Sequence, residues 1–240
     1  MRLPTSRGGR AGVLALAVLA PLALFAVAYF VFFAPESEDA FTIDAGQAAG
    51  DAAAAPTGVA AVQGGWKVTT GSEAGYRVRE KLAALPAPND AVGRTTAITG
   101  GFQVEPAGQA ARVRDIKVEV DVSKLTSDNG QRDNRIKTQG LESTQFPMAT
   151  FVSTGTIDVP AEALTGATVK AQVAGDLTIH GATNRVDIPV DVALTAGTAQ
   201  IVGSYTFPFG AFAMTPPSIG GFVTVENDAT LEFKMVATKA

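Results

Sequence analysis

Residues 173–192 read VAGDLTIHGATNRVDIPVDV. Val173, Gly175, Leu177 and Ile179 occupy alternate positions, and so do Val186, Ile188, Val190 and Val192. Their neighbours Asp176, Thr178, Asp187 and Asp191 are polar. Successive side chains of a strand point to opposite faces, so a period of two defines two strands with one apolar and one wet face each. The break between them, residues 180–185, contains Gly181 and Asn184 and predicts a hairpin connection. Pro189 has no N–H for a ladder and is expected at a bulge or facing away from a neighbour. An apolar sheet face has to cover something apolar, and the same alternation recurs along most of the chain.

Trp66–Thr69 predicts a first strand, and Tyr76 and Val78 share one face of a second. Arg79–Leu85 reads as a short helical piece ended by Pro86 and Pro88. The stretch 91–104 carries Gly93, Gly100 and Gly101 inside a strand pattern, which predicts bulges or bends. In 112–123, Ile116, Val118, Val120 and Val122 alternate with Lys117, Glu119 and Asp121. The polar stretch 125–142 is expected to be a loop with a helical turn near 132–141. Strands follow over 149–157, 199–207, 222–225 and 231–236. About eight to ten evenly spaced strands with almost no helix predict an all-β antiparallel sandwich or up-and-down barrel. Consecutive strands with short turns favour the barrel, because closure removes the edges. An eight-stranded barrel leaves room for one small ligand.

The N-terminus has a different composition. Arg2, Arg7 and Arg10 lie in residues 1–10, a basic tail, and residues 11–34 are an uninterrupted apolar run. At about 1.5 Å per residue the run reaches roughly 36 Å, enough to cross a hydrocarbon core of about 30 Å. Basic residues on one side only predict a single-pass anchor with a cytoplasmic N-terminus and an extracytoplasmic remainder. The rival is a cleaved signal peptide with a small-residue site at Ala26-Val27-Ala28, after which the domain would be secreted. Tyr29–Phe33 carries the apolar run past that site, which favours the anchor. The chain has no cysteine, which excludes a lipoprotein anchor, disulfides and thiolate metal sites. Residues 35–64 contain Glu36, Glu38, Asp39, Asp44 and Asp51, no base, and much Ala and Gly. That composition predicts a flexible acidic linker, with Phe41 and Ile43 as a pair able to dock locally. Residues 65–240 form the outer domain; their 16 basic and 18 acidic residues offer no electrostatic case for nucleic acid.

Four segments of the outer domain carry a resemblance. They are VEVDVSKLTSDNGQRDNRI (118–136), LESTQFPMATF (141–151), LTIHGATNRVDIPV (177–190) and GGFVTVENDATLEF (220–233). In this order and spacing, with Trp66 and Ser72 as an opening motif, the chain resembles the YceI-like proteins from Trp66 to about Met235. The resemblance implies an eight-stranded, lipocalin-like antiparallel barrel outside the cytoplasm, with an apolar lumen that holds a polyisoprenoid or similar lipid. It carries no enzymatic role and no cofactor. The chain departs from the family pattern where an aspartate often stands two residues after a phenylalanine: Ala211 follows Phe209, although Phe212 keeps the next aromatic.

The alternating faces give the expected ligand-binding set: Tyr76, Val78, Phe102, Val118, Val120, Phe151, Leu177, Ile179, Val190 and Phe207, joined by Phe209 and Phe212. A one-residue slip of register would turn a strand's whole set outward. Phe207, Phe209, Phe212 and Met214 read as a lumen gate or as a plug. Arg132 and Arg135 are candidate head-group contacts, since guanidinium forks suit phosphate oxygens; the alternative is a solvated loop with a local ion pair. His180, the single histidine, is a general base oriented by Asp176 or Asp187 in a catalytic reading and a turn residue in the simpler one. No nucleophile–base set accompanies it, and no metal-ligand cluster is visible. The function expected is a membrane-tethered lipid-binding barrel. The alternatives are an interaction or stress-response module whose barrel is filled, and an enzyme acting on such lipids.

Overall fold

A computed structural model of the chain describes residues 38–43, 58–82, 88–194, 197–219 and 223–240. The apolar run 11–34 lies outside the described residues, and among those described no helix is long and apolar enough to cross a membrane. The strands are β1 (Gly64–Val68), β2 (Glu73–Leu82), β3 (Asn89–Thr95), β4 (Ile98–Ala107), β5 (Ala110–Asp121), β6 (Thr126–Ser127), β7 (Met148–Ser153), β8 (Ile157–Val159), β9 (Val169–Ile179), β10 (Ala182–Leu194), β11 (Thr198–Pro208), β12 (Ser218–Ile219) and β13 (Val223–Lys239). Two short helices accompany them, α1 (Val59–Val62) and α2 (Gly130–Ile136).

The sheet closes on itself. Pairing runs β1-β4-β5-β7-β9-β10-β11-β13, every pair antiparallel, and β13 returns to β1. The wall is therefore an eight-stranded meander, as expected, but several of its strands are broken. β1 and β2 lie end to end along β13, through Val68↔Ala237 and Glu73↔Lys234. Ser72 bridges the break: its Oγ donates to the Thr69 carbonyl (2.7 Å) and accepts from the Val236 N–H (2.9 Å). β3 and β4 are likewise one wall strand, with the Ala97 N–H donating to Thr95 Oγ1 (3.1 Å) between them. β5 pairs first with β8 and then with β7. Gly100 and Gly101 precede a register shift between β4 and β5, in line with the bulge expected there.

Three local expectations change. β2 continues through Leu82, paired with β13, where a helix was expected from Arg79; ladder pairing overrides the weak helical propensity of a charged segment. The hairpin turn is two residues, His180 and Gly181, instead of six. Both have positive φ (52° and 72°), the backbone a tight hairpin between right-twisted strands requires. The helical segment lies at Gly130–Ile136, one turn earlier than expected, because Asn129 caps it by accepting from the N–H groups of Gln131 (2.9 Å) and Arg132 (3.3 Å). Pro189 sits where the β10–β11 ladder ends, at Val190↔Gly203.

One end of the barrel is sealed by a separate cluster. Val62 of α1 (1% exposed), Trp66 (2%), Val104, Ala111, Leu164 and Ala237 pack there. The Trp66 indole N–H donates to the Val62 carbonyl at 2.8 Å, and its ring stacks on Phe102 with centroids 5.9 Å apart. The folded unit thus reaches back into the stretch expected to be linker. A second piece of that stretch, residues 38–43, lies against the outer wall. Glu38 pairs with Arg94 (2.8 Å), its carbonyl accepts from Arg77 (2.6 Å), and the Phe41 ring lies 4.0 Å beneath the Arg94 guanidinium. The same two arginines hold Glu232 at 3.2 and 3.1 Å, which explains how an outward carboxylate comes to be buried.

A fragment of residues 58–240 is expected to fold as a β-rich domain. One starting at Gly65 loses the Val62 side chain and the indole's acceptor, and should be less stable by about 2–4 kcal/mol. Urea unfolding of the two fragments checks this; equal midpoints would count against the α1 seal.

Candidate functional site: an apolar lumen

The inward faces of the wall enclose a cavity of about 280 Å³. That is at the lower edge of the range for small-molecule sites, about 300–1,000 Å³. Every wall strand contributes apolar side chains, from Trp66 and Val78 through Phe151, Leu177 and Val190 to Phe207, Leu231 and Phe233. Val62, Val159 and Leu194 of the sealing cluster line one end. Ile136 and Leu141, from the β6–β7 connection, and Phe209, Met214 and Pro217, from the β11–β12 connection, line the other.

Aromatic side chains would fill such a space if they pointed straight inward. Three do not, because each lies over a glycine of the adjacent strand. Tyr76 is paired with Gly93, and a Cβ at Gly93 would collide with the phenol ring. Phe233 is paired with Gly203, where a Cβ would stand 2.6 Å from its Cζ. Phe151 reaches diagonally across to Gly175, whose missing Cβ its ring replaces. The glycines let the rings lie against the wall and leave the centre open.

Of the expected set, Tyr76, Val78, Phe102, Val118, Val120, Phe151, Leu177, Ile179, Val190, Phe207 and Phe209 all line the cavity. The strand phases read from the sequence are therefore those of the structure. Phe212 does not line it. A short 3₁₀ turn, Phe209–Phe212, carries it, and it is fully buried edge-on against Phe207 with centroids 4.8 Å apart. The Asn184 side chain donates to the Ala211 carbonyl (2.6 Å), tying this turn to β10 beyond the point where the β10–β11 ladder ends. Phe212 is thus a plug between splayed strands. Ile201, Leu231 and Met235 line the cavity without having been singled out, and Ile188 and Val192, named on the alternating face but left out of the expected ligand set, line it too. The glycine–aromatic pairs were not legible, because they need the cross-strand register.

Arg132 is engaged at all three guanidinium nitrogens. It forms a fork to Glu80 (3.2 and 3.1 Å), and its Nη1 contacts Asp128 and Ser127 Oγ. Burial opposes its charge, and the Glu80 and Asp128 carboxylates more than restore it, so its pKa is raised further. Arg135 reaches Gln139 Oε1 at 3.5 Å. His180 packs on Phe146 (4.4 Å between centroids), with Nε2 3.3 Å from Glu142 Oε2 but not aligned as a hydrogen bond. Asp176, one of its two expected orienting partners, is paired with Arg185 at 3.1 Å. The histidine is a turn residue and does not line the cavity.

The YceI-like domain model matches residues 66–237. The chain belongs to the YceI-like family. A UPF0312 protein of Vibrio cholerae is 30% identical over 119 residues, covering 49% of this chain and 53% of that protein. A UPF0312 protein of Vibrio vulnificus is 31% identical over 119 residues, with the same coverage. The chain thus spans about half the length of the curated relatives it matches. Three solved structures share the fold of this YceI-like chain. BcnA of Burkholderia cenocepacia has a TM-score of 0.50 at 23% identity and covers 69% of this chain and 96% of its own. A polyisoprenoid-binding domain from Saccharophagus degradans, implicated in plant cell wall breakdown, has a TM-score of 0.53 at 13% identity, with 73% and 98% covered. A YceI protein of Campylobacter jejuni has a TM-score of 0.52 at 15% identity, with 67% and 91% covered. Identities this low carry the architecture alone.

Burial pushes the Tyr76 phenol above the ordinary tyrosine range; Arg132 lowers it, and Asp133, Glu80 and Asp128 raise it. An acid whose pKa is raised on folding contributes stability that is complete below its unfolded value, about 10, and is lost as pH rises through the folded one. The denaturation midpoint of the parent should therefore fall more steeply between about pH 9 and 11 than that of Tyr76→Phe. Parallel curves would contradict this.

Proposed function

We propose that this chain is a membrane-tethered, extracytoplasmic binding protein that holds an isoprenoid or other long apolar lipid in its barrel lumen. The observation that carries the reading is the open, almost wholly apolar cavity built from every strand of the wall. Burying an alkyl chain there is worth about 0.8 kcal/mol per CH₂. The eleven of the twelve residues named from the sequence that line the cavity are proposed as ligand contacts; Phe212 supports Phe207 from behind. The polyisoprenoid-binding domain of Saccharophagus degradans, which shares the architecture, supports the ligand class. An interaction module with a filled barrel agrees less well with space held open over three glycines. Among the described residues that line the lumen no nucleophile–base set is present, so binding is preferred to chemistry. The tether rests on the apolar run 11–34 and the three arginines before it.

Lipid retention tests the lumen. Full-length protein, taken from membranes in mild detergent and read by native mass spectrometry, should carry an apolar lipid. Ala171→Phe and Val190→Phe add volume to the wall at a cost of about 1–3 kcal/mol each. They should retain at least fivefold less lipid while staying folded. Folded variants carrying as much lipid as the parent would remove the lumen as the site.

Topology is tested separately. A periplasm-dependent reporter fused after Ala240 should be active, and the barrel should be cut by protease added from outside the cytoplasm. Activity of a cytoplasm-dependent reporter alone would refute the orientation. A mature N-terminus at Tyr29 would refute the anchor and keep the compartment.

A further inference from the structure

The sealed end of the lumen is completed by residues outside the matched family region. α1 (Val59–Val62) precedes residue 66, where the YceI-like match begins. Gly58 and Gly64 flank it with positive φ (86° and 119°), which lets the chain turn in across the end of the barrel and out again into β1. Val59 and Val62, three residues apart, share the helix face that packs on the sealing cluster, while Ala60 is exposed. A single helical turn has no stability of its own. This one is pinned from outside: the Trp66 indole N–H donates to the Val62 carbonyl (2.8 Å), and the Lys239 ammonium donates to the Ala61 carbonyl (3.2 Å).

Val62 and Trp66 both line the lumen and are both shut off from solvent. Behind them, in the same cluster, lie the fully buried Ala163 and Leu164 of the 3₁₀ turn Ala161–Thr165, which do not line the cavity. This end is therefore a floor two layers deep and not a second mouth. The indole nitrogen, the one polar side-chain atom among its described lining residues, is already bonded. Only an apolar end of a ligand matches such a floor. From it the lumen runs toward the β9–β10 turn, lined on β9 by Ala171, Val173, Leu177 and Ile179. Those eight residue steps span about 26 Å of strand and, at a barrel tilt of about 40°, roughly 20 Å of axis.

We infer that α1 and Trp66 make the lumen a ruler: the apolar end of a bound chain stops against Val62 and Trp66, and this floor sets the longest chain that the barrel buries in full. The inference rests on the lumen-binding reading and adds a selection by length. Val62 is the residue that decides it, because its side chain is the part of the floor supplied by α1. Trp66 is the positioning residue, holding the helix by its N–H and stacked in turn on Phe102.

Straight-chain primary alkanols from decanol to docosanol provide the test. The full chain in mild detergent, stripped of lipid, is offered each alkanol at one micellar fraction and read by native mass spectrometry. Micelle and lumen are both apolar, so retention should be flat with length until the chain overruns the floor, then fall about fourfold for each CH₂ left outside. Val62→Ala should raise retention of the first excluded alkanol about fourfold. Val62→Phe, or Val62→Ile where the bulkier side chain fails to fold, should lower retention of the longest accepted one by at least about as much. Val190→Ala makes the same truncation in the open part of the wall; it should weaken retention at every length and leave the limit in place. Trp66 is the single tryptophan of the chain, so alkanols brominated at the far end should quench its emission only as their length nears the limit. Flat retention through docosanol, Val62 variants with the parent's limit, a limit that Val190→Ala moves as far as Val62→Ala does, or quenching that ignores length overturns the ruler and leaves lumen binding standing. Failure of every probe overturns lumen binding, and this inference with it.

Discussion

The structure depends on β13. This strand pairs with β11 on one side and with β1 and β2 on the other, so it converts an open meander into a closed wall. An open sheet with the same alternation would leave an apolar face and two edges to be covered by something else. Closure turns the apolar face of every strand toward one shared interior. It also demands sharp curvature, and the wall meets that demand by breaking strands. Ser72 repairs the ladder where β1 gives way to β2, and the Thr95 hydroxyl satisfies a backbone N–H where β3 gives way to β4. The two breaks let neighbouring wall strands bend together, so the sealing cluster around Trp66 and the open part of the lumen lie at different heights of one barrel.

Alternation alone made the architecture and most of the lumen legible. The period of two in 112–123 and 173–192 is long enough to fix phase, and phase decides which residues face the cavity. Where the pattern was short or charged, the reading failed. Arg79-Glu80-Lys81 carries no alternation and resembles a helix locally, yet its backbone completes the ladder with β13. The two-residue turn at His180 was read as a six-residue break on the strength of Gly181 and Asn184; residues 182–185 belong to β10, paired with β9. Phe212 was counted with the lumen because composition cannot distinguish an aromatic that lines a cavity from one that plugs a gap between splayed strands. In the acidic stretch before the barrel, low hydrophobicity predicted a flexible linker with Phe41 and Ile43 able to dock locally; Phe41 docks under Arg94, and two arginines on the wall give residues 38–43 specific partners. Composition registers the acids there and is blind to the complementary cations far away in sequence.

The glycines at 93, 175 and 203 show why a small set of residues governs the interior. Gly93 was legible as an interruption of a strand pattern and read as a bend, Gly175 was read as one more position of an alternating face, and Gly203 drew no reading. Their role depends on the residue opposite, since a ring from the next strand occupies the space of the missing Cβ. A side chain at any of the three would push an aromatic ring toward the barrel axis. Wall packing and lumen volume are therefore one constraint, decided at the same positions.

That constraint bears on whether the cavity is incidental. Apolar cavities destabilise a fold by roughly 24 cal/mol per Å³, so a void of about 280 Å³ corresponds to about 7 kcal/mol if left empty. This is of the order of the whole net stability of an ordinary domain, about 5–15 kcal/mol. Larger wall residues would recover much of that energy, and Ala149 and Ala171 face the lumen with room for them. A barrel that served only as a rigid interaction surface would gain by such filling. One that binds an apolar chain recovers the same energy from its ligand, and loses it again on release. In that case the bound form is the more stable one, and the empty form relies on the closed ladder and on the sealing cluster around Trp66. The closed hydrogen-bonded wall is what permits the interior to stay unfilled: its backbone pairing does not depend on what occupies the centre.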